Sequence, residues 1–156
     1  MKNIVSLLAV LLLTFAAQAQ SSKYRCMVQL TNYKGLEAYV VVSLINPEGK
    51  YEKTLYMLGP DKQWYNGFKE WDKALGKKKE NLSAITGASV AAGDRTMVTL
   101  SLDDSKLNKG YKLRFETAVE DQNYHISDVE IPLTTEEITV RKEGNGYIRY
   151  VKLNKQ

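Results

Sequence analysis

The sequence has few of the side chains from which catalytic and metal sites are built. Cys26 is its only cysteine and His125 its only histidine. One cysteine cannot form an intrachain disulfide, so stability must come from a packed core. One histidine without a histidine or cysteine partner argues against a zinc site and against a Ser/His/Asp arrangement. Because no Gly-x-Gly-x-x-Gly or phosphate-loop pattern is present either, the sequence predicts a protein that is not an enzyme by itself.

The chain also lacks a strong excess of one charge. Its 22 Lys and Arg side chains stand against 18 Asp and Glu, and the small positive balance is spread along the chain. A nucleic-acid partner or a polybasic membrane contact would require clustered positive charge. We therefore expect no nucleic-acid partner.

The apolar run at residues 4–17 is shorter than the roughly 20 residues that a membrane-spanning helix needs. Lys2 precedes this run, and Ala17-Gln18-Ala19 follows with the small-x-small pattern that signal peptidase cleaves. The sequence therefore predicts a signal peptide at residues 1–19 and a single domain at residues 20–156. We expect a periplasmic or secreted protein with no membrane insertion after cleavage; the alternative is a retained membrane anchor.

Apolar and polar residues alternate with a period of two through most of the remaining chain, which indicates β-strands. Cys26 falls on the apolar face of the first such segment, which predicts a buried, inert thiol. In residues 111–119 the odd positions should face inward and the even positions outward. Residues 36–45 are apolar on both faces, which is typical of a central strand covered on both sides. The eight predicted strands cover residues 23–31, 36–45, 51–58, 95–102, 111–119, 124–131, 136–142 and 147–153, with a two-residue hairpin at Asn145-Gly146 before the last.

One segment has a helical period instead. Asn66 is placed to cap a short helix that runs to about Leu75, with Phe68, Trp71 and Leu75 on one face, and Gly76 is placed to end it. Trp71 should therefore belong to the core. The sequence predicts an all-β fold, an immunoglobulin-like β-sandwich of about eight strands with one short inserted helix.

Five sequence blocks occur in order through most of the chain. Each block is weak alone, but the ordered set is more specific. The blocks are Ala38-Tyr39-Val40-Val41-Val42, Pro47-Glu48-Gly49-Lys50-Tyr51-Glu52-Lys53-Thr54-Leu55, Trp71, Ile85-Thr86-Gly87-Ala88-Ser89 and Lys109-Gly110-Tyr111. With them the chain resembles the exported bacterial DUF2271 family over about residues 36–132. That resemblance implies a partnership with PepSY-type membrane proteins and flavin transferases, in systems that handle extracytoplasmic electrons or iron.

The segment 83–89 resembles the acceptor site of those transferases, Asp-x-x-Ser/Thr-Gly-Ala-Thr/Ser. In that chemistry FAD is split, and FMN is joined through its phosphate to the last hydroxyl. Thr86, Gly87, Ala88 and Ser89 match the pattern, whereas Ser83 stands where the pattern has Asp. Serine is also the less usual acceptor at the final position. The resemblance implies covalent FMN on Ser89, with Thr86, Gly87 and Ala88 as its recognition residues.

The residue types in this segment suit an acceptor. Gly87 offers backbone freedom and Ala88 offers little bulk, so a transferase could approach the Ser89 hydroxyl closely. The lysines at residues 77–79 could offset phosphate charge, and Trp64, Tyr65 or Trp71 could lie against an isoalloxazine ring. Thr-Gly-Ala-Ser is equally an ordinary entry into a strand.

Two functional hypotheses follow. The first is a periplasmic electron-carrier or accessory domain with FMN on Ser89, working with a PepSY-type membrane protein. The second is a cofactor-free binding or assembly module, because immunoglobulin-like sandwiches commonly present loops and edge strands to partners.

Overall fold

The computed structural model describes residues 20–78 and 80–156. The predicted signal peptide at residues 1–19 lies outside the described residues. Nine strands are found in the described part of the chain, and they form two sheets. Their bounds are β1 Ser21–Leu30, β2 Tyr39–Ile45, β3 Tyr51–Leu58, β4 Thr86–Gly87, β5 Arg95–Asp103, β6 Lys112–Ala118, β7 Tyr124–Pro132, β8 Lys142–Glu143 and β9 Ile148–Lys155.

The two sheets divide the chain between them. The four-stranded sheet has the order β5-β1-β9-β8, and the five-stranded sheet has the order β4-β3-β2-β6-β7. Neighbouring strands run antiparallel except β3 and β4, which run parallel. Apolar side chains from both sheets pack into one core between them. This arrangement confirms the predicted all-β sandwich.

The first strand shows why the alternating pattern was informative. Tyr24, Cys26, Val28 and Leu30 are buried between the sheets, and Cys26 is fully buried. Burial raises the pKa of the Cys26 thiol to about 12. Both observations agree with the prediction of a buried, inert thiol.

A third layer covers the outer face of the five-stranded sheet. Helix α1, Lys69–Lys78, follows a 3-10 helix at Lys62–Gly67, and together they cover β2 and β3. Six buried residues form this second core: Val41, Met57, Tyr65, Phe68, Trp71 and Leu82. The prediction of a central strand covered on both sides is confirmed by β2, and Trp71 is a core residue, only 1% exposed.

The ends of the predicted helix were wrong. Asn66 does not cap α1, which begins at Lys69. The Asp61 carboxylate caps the 3-10 helix before it, by accepting from the backbone N–H of Gln63 over 3.2 Å. Asn66 lies inside the 3-10 helix. Gly76 does not end α1, which continues to Lys78, because a glycine inside a helix costs only about 1 kcal/mol relative to alanine.

The third layer also covers the outward face of β6. Glu116 was predicted to face outward, but on this covered face it is only 2% exposed. It does lie on the outer face of the sheet, where Tyr124 Oη donates a hydrogen bond to its carboxylate. Desolvation raises the pKa of Glu116 to about 7. On the inward face Leu113, Phe115 and Thr117 are fully buried, as expected.

The strand predicted at residues 136–142 was also wrong. The chain makes a helical turn there, in which the Ile138 N–H donates to the Thr134 carbonyl over 3.0 Å. The Thr134 hydroxyl accepts from the Glu137 N–H over 3.2 Å. Only β8, Lys142–Glu143, is extended in this region.

The connection from β8 to β9 spans residues 144–147 instead of two residues. A fully buried carboxylate, Asp128, holds it in place. Its oxygens accept from the backbone N–H groups of Asn145, Gly146 and Ile148 over 2.9, 2.7 and 2.9 Å. The Thr117 hydroxyl donates to the same carboxylate over 2.6 Å.

Candidate functional site

The segment 83–89 leads into a connection that carries the chain from one sheet to the other. Residues 83–85 form one 3-10 turn, and the Thr86 hydroxyl closes it by donating to the Leu82 carbonyl over 2.8 Å. Thr86 and Gly87 then pair with Met57 and Leu58 at the end of β3. Val90 pairs with Ala38, ahead of β2. The segment thus crosses over the end of β3, where Gly59 donates its N–H to the Gly87 carbonyl over 2.8 Å.

Ala88 and Ser89 form the link between these two paired regions. Thr86 and Gly87 belong to a strand and Val90 to a β-bridge, whereas Ala88 and Ser89 have no strand assignment. Ala88 is exposed and Ser89 is half-exposed. Part of the segment is therefore held in the sheet edge, while the residue expected to be the acceptor lies on a short link at the surface.

The hydroxyl of Ser89 donates a hydrogen bond to the carboxylate of Glu37. Both residues line a hollow of about 260 Å³, which Tyr56 and Arg95 also line. Arg95 is exposed, and it is the one cationic side chain among the described residues of this hollow. The Ser89 hollow is thus lined by a hydroxyl, the two carboxylates of Glu37 and Asp94, and a guanidinium.

Gly87 is needed for a reason other than the one inferred from the sequence. Its φ is not in the left-handed region that favours glycine. A Cβ added at Gly87 would instead lie 2.9 Å from the Tyr56 hydroxyl. The missing side chain therefore makes room for Tyr56 against the sheet edge.

Glu37 also lines a second, larger groove. It has a volume of about 540 Å³. Leu36 and Trp64 line it and are 62% and 39% exposed. We call it the Trp64 groove; its described lining residues are Leu36, Glu37, Tyr39, Trp64, Asn66, Gly67, Phe68, Ala118, Val119, Glu120, Asp121, Gln122 and Tyr124.

The charge of the Trp64 groove is negative. Glu37, Glu120 and Asp121 contribute three carboxylates, and none of its described lining residues is Lys, Arg or His. The pKa of Tyr39, which lines the groove, reflects this negative charge. It is raised mainly by desolvation and further by the carboxylates of Asp61, Glu37 and Glu120. The groove therefore suits an apolar group, with a preference for a positively charged or neutral one.

Of the three aromatic residues that the sequence placed near a flavin, only Trp64 is available. Tyr65 and Trp71 are 6% and 1% exposed and pack edge-to-face at 5.2 Å in the second core. Trp64 lines the groove that begins at Glu37, so it is the ring that an occupant would meet. Sequence reasoning missed Leu36, Glu37 and Arg95. Leu36 and Glu37 are far from Ser89 in the chain, and Arg95 belongs to no motif.

The lysines expected near the phosphate lie elsewhere. Lys78 donates to the Glu52 carbonyl and lies 5.4 Å from the centre of the Tyr51 ring. Tyr51 and Glu52 begin β3, whereas Thr86 and Gly87 pair with its last two residues. The expectation was wrong for Lys78, and Lys79 lies outside the described residues.

Metal-binding clusters and membrane-spanning helices are not found among the residues that the structure describes. No group of three or more His, Cys, Asp or Glu side chains there is placed to hold a metal ion. His125 packs edge-to-face on Tyr147 at 4.9 Å. Within residues 20–78 and 80–156, no helix has both the length and the apolar character needed to cross a membrane.

Comparison with known proteins gives one match. A family model described as DUF2271, predicted periplasmic protein, matches residues 21–150. No curated protein and no solved structure gives a significant match.

Proposed function

The chain belongs to the DUF2271 family of predicted periplasmic proteins, and from that premise we propose that it is a periplasmic accessory domain that carries electrons on FMN attached to Ser89. One observation carries this proposal. The Ser89 hydroxyl lies on a surface link, and its hydrogen-bond partner Glu37 also lines the apolar Trp64 groove. An attachment point and a place for an aromatic ring are therefore adjacent.

The Ser89 hollow fits a phosphate ester. Arg95 lies on its wall, and a guanidinium is a good partner for phosphate oxygens. Attachment removes the Ser89 hydroxyl proton, so the hydrogen bond to Glu37 is lost. The carboxylates of Glu37 and Asp94 would repel the phosphate. Both residues are exposed, and their side chains can therefore turn to solvent at little cost.

The Trp64 groove fits the ring. Leu36 and Trp64 offer it apolar surface, and stacking on an indole favours a flat aromatic group. When bound, FMN supplies the electron-transfer chemistry, and the residues of this chain bind it, orient it and limit its contact with water.

Attachment requires a second protein. The oxygen of Ser89 forms a bond to the FMN phosphorus of FAD, the bond between the two phosphates breaks, and AMP leaves. The hydroxyl proton passes to a base of the flavin transferase. We propose no catalytic residue in this chain, and we propose a PepSY-type membrane protein as its electron-transfer partner.

Intact mass tests the proposal. The mature chain is coexpressed in the periplasm with a flavin transferase from a genome that encodes both. We expect a mass increase equal to one esterified FMN, which Ser89→Ala abolishes and Ser89→Thr retains. Ser101→Ala, at an exposed serine of β5, is the matched control and should keep the increase. An unchanged mass of the unsubstituted chain would overturn the proposal.

The negative charge of the Trp64 groove supports a second candidate, a cofactor-free binding module. Three carboxylates around exposed Leu36 and Trp64 suit an apolar ligand or peptide segment with positive charge. Isothermal titration calorimetry with a peptide that contains arginine and phenylalanine tests this. Trp64→Ala should then weaken binding, whereas Ser89→Ala should leave it unchanged; equal loss in both variants would count against this candidate.

A further inference from the structure

A second groove lies at the opposite end of the five-stranded sheet, between α1 and the turn from β2 to β3. Its volume is about 410 Å³. Five of its lining residues are basic and two are acidic. The basic residues are Lys50, Lys73, Lys77, Lys78 and Arg114, and we call the site the lysine groove.

Three separate elements supply this charge. Lys73 and Lys77 are four residues apart on α1 and therefore share one face of the helix. Lys50 comes from the turn before β3, and Arg114 lies on β6. Like charges gathered in one concave site repel each other unless an anion occupies it.

Arg114 gives the groove a fixed binding group. Its side chain is 20% exposed, and its Nε donates to the Glu130 carboxylate over 2.8 Å. Among the described residues, no acceptor contacts the other two guanidinium nitrogens. The ion pair therefore holds the guanidinium in place and leaves its outer edge free to bind.

The two acidic residues do not cancel the positive charge. Glu116 is buried and accepts from Tyr124 Oη, and Glu70 is exposed on α1. When Glu130, the ion-pair partner of Arg114, is counted as well, five basic groups against three acidic groups leave an excess of two positive charges. A single carboxylate would neutralise one of them, whereas a phosphate monoester or diphosphate would neutralise two or more.

We propose that the lysine groove binds the phosphate group of a multiply charged ligand. A soluble phosphate ester and a lipid headgroup present the same chemistry. The volume exceeds that of a phosphate, and Tyr51 lines the remaining space, so there is room for the organic part of the ligand. The site is separate from Ser89, and it does not depend on FMN.

Titration of the mature chain with inorganic pyrophosphate at low ionic strength tests the proposal. We expect saturable binding, with a dissociation constant about tenfold higher in Lys73→Gln/Lys77→Gln, because the loss of charge-assisted hydrogen bonds costs at least about 1.4 kcal/mol. The control is Lys62→Gln/Lys69→Gln, which removes the same charge from exposed lysines outside the groove and should change binding less than twofold.

Cosedimentation with vesicles of phosphatidylglycerol and phosphatidylcholine separates the two sources. Pyrophosphate binding without vesicle binding supports a soluble ester, and vesicle binding lost in Lys73→Gln/Lys77→Gln supports a headgroup. Absence of both kinds of binding, or equal loss in the groove and control variants, would overturn the proposal.

Discussion

The indole Nε1 of Trp71 donates a hydrogen bond to Thr54 Oγ1 over 2.9 Å, and this buried contact joins α1 to β3. The Thr54 oxygen also lies 2.6 Å from Tyr51 Oη, which donates to the Glu80 carboxylate over 2.8 Å. The helical layer is therefore fixed to the sheet by a polar network as well as by apolar packing.

Thr54→Val should lower the free energy of unfolding by about 1–3 kcal/mol, because it leaves a buried indole N–H without an acceptor. Trp71→Phe removes that donor but also reduces packing. If the hydrogen bond is the reason, the double variant will be less destabilised than the sum of the two single variants. Urea unfolding of the four proteins measures this, with Thr99→Val on the exposed face of β5 as a control; additive effects would contradict the explanation.

Asp128→Ala should lower the free energy of unfolding by more than about 3 kcal/mol, since it leaves the N–H groups of Gly146 and Ile148 and a hydroxyl without their acceptor. The Asn145 N–H keeps the backbone carbonyl of residue 128 as an acceptor, at 3.0 Å. Asp128→Asn keeps one acceptor oxygen and should be intermediate. Thr117→Val removes a single donor and should cost about 1 kcal/mol. Thermal unfolding ranks the variants, and similar melting temperatures for all three would show that the carboxylate does not hold the turn.

Glu116 predicts a pH dependence of stability. Its pKa in the folded protein is about 7, above the ordinary value of 4.5, so the folded state binds the proton more tightly than the unfolded state. The stabilisation is complete below about pH 4.5 and is lost as the pH rises through 7. Its upper limit is about 3 kcal/mol, at about 1.4 kcal/mol per pKa unit.

Glu116→Gln should therefore become more stable relative to the unsubstituted protein as the pH rises from 5 to 8. Urea unfolding at several pH values measures the difference, and Glu48→Gln in the exposed turn before β3 is the matched control. A difference that stays constant across this range would contradict the prediction.

Cys26 should react with a thiol reagent only when the protein unfolds. Its pKa of about 12 against an ordinary 9.0 leaves a thiolate fraction roughly a thousandfold smaller at neutral pH, and full burial blocks access as well. Labelling with a chromogenic disulfide in native buffer and in 6 M urea tests this. Fast labelling of the folded protein would show that the first strand opens locally.

The sandwich could be predicted because most strands bury one face in the core and leave the other face more exposed. Cys26 and Val28 alternate with more exposed residues in β1, and the bounds of β3 were predicted without error. The alternation placed Glu116 on the correct face of β6 but could not show that this face is covered, because α1 is brought over it only by tertiary packing. At residues 136–142 the Thr134-x-x-Glu137 pattern at the start of the turn is a helix signal that outweighed the apolar alternation.

The candidate site was only partly predictable. The position of Ser89 on a link between paired segments follows from the bridge of Val90 to Ala38, which joins residues too distant in sequence for any local pattern. The same bridge brings Glu37 to Ser89, and no motif marks Glu37 or Arg95. The core position of Trp71 was predicted from its helix face, but Trp64 and Tyr65 could be told apart only once the 3-10 helix showed which ring faces the second core.

The place of β1 within its sheet determines when the molecule can fold. β1 lies between β5 and β9, so the first strand of the domain pairs with residues 95–103 and with the last strand, residues 148–155. Such distant partners make folding slow, and the four-stranded sheet cannot form on a chain still being delivered from its N-terminus. Removal of β9 would reduce this sheet to the pair of β1 and β5, and β8 would lose its only partner strand among the described residues.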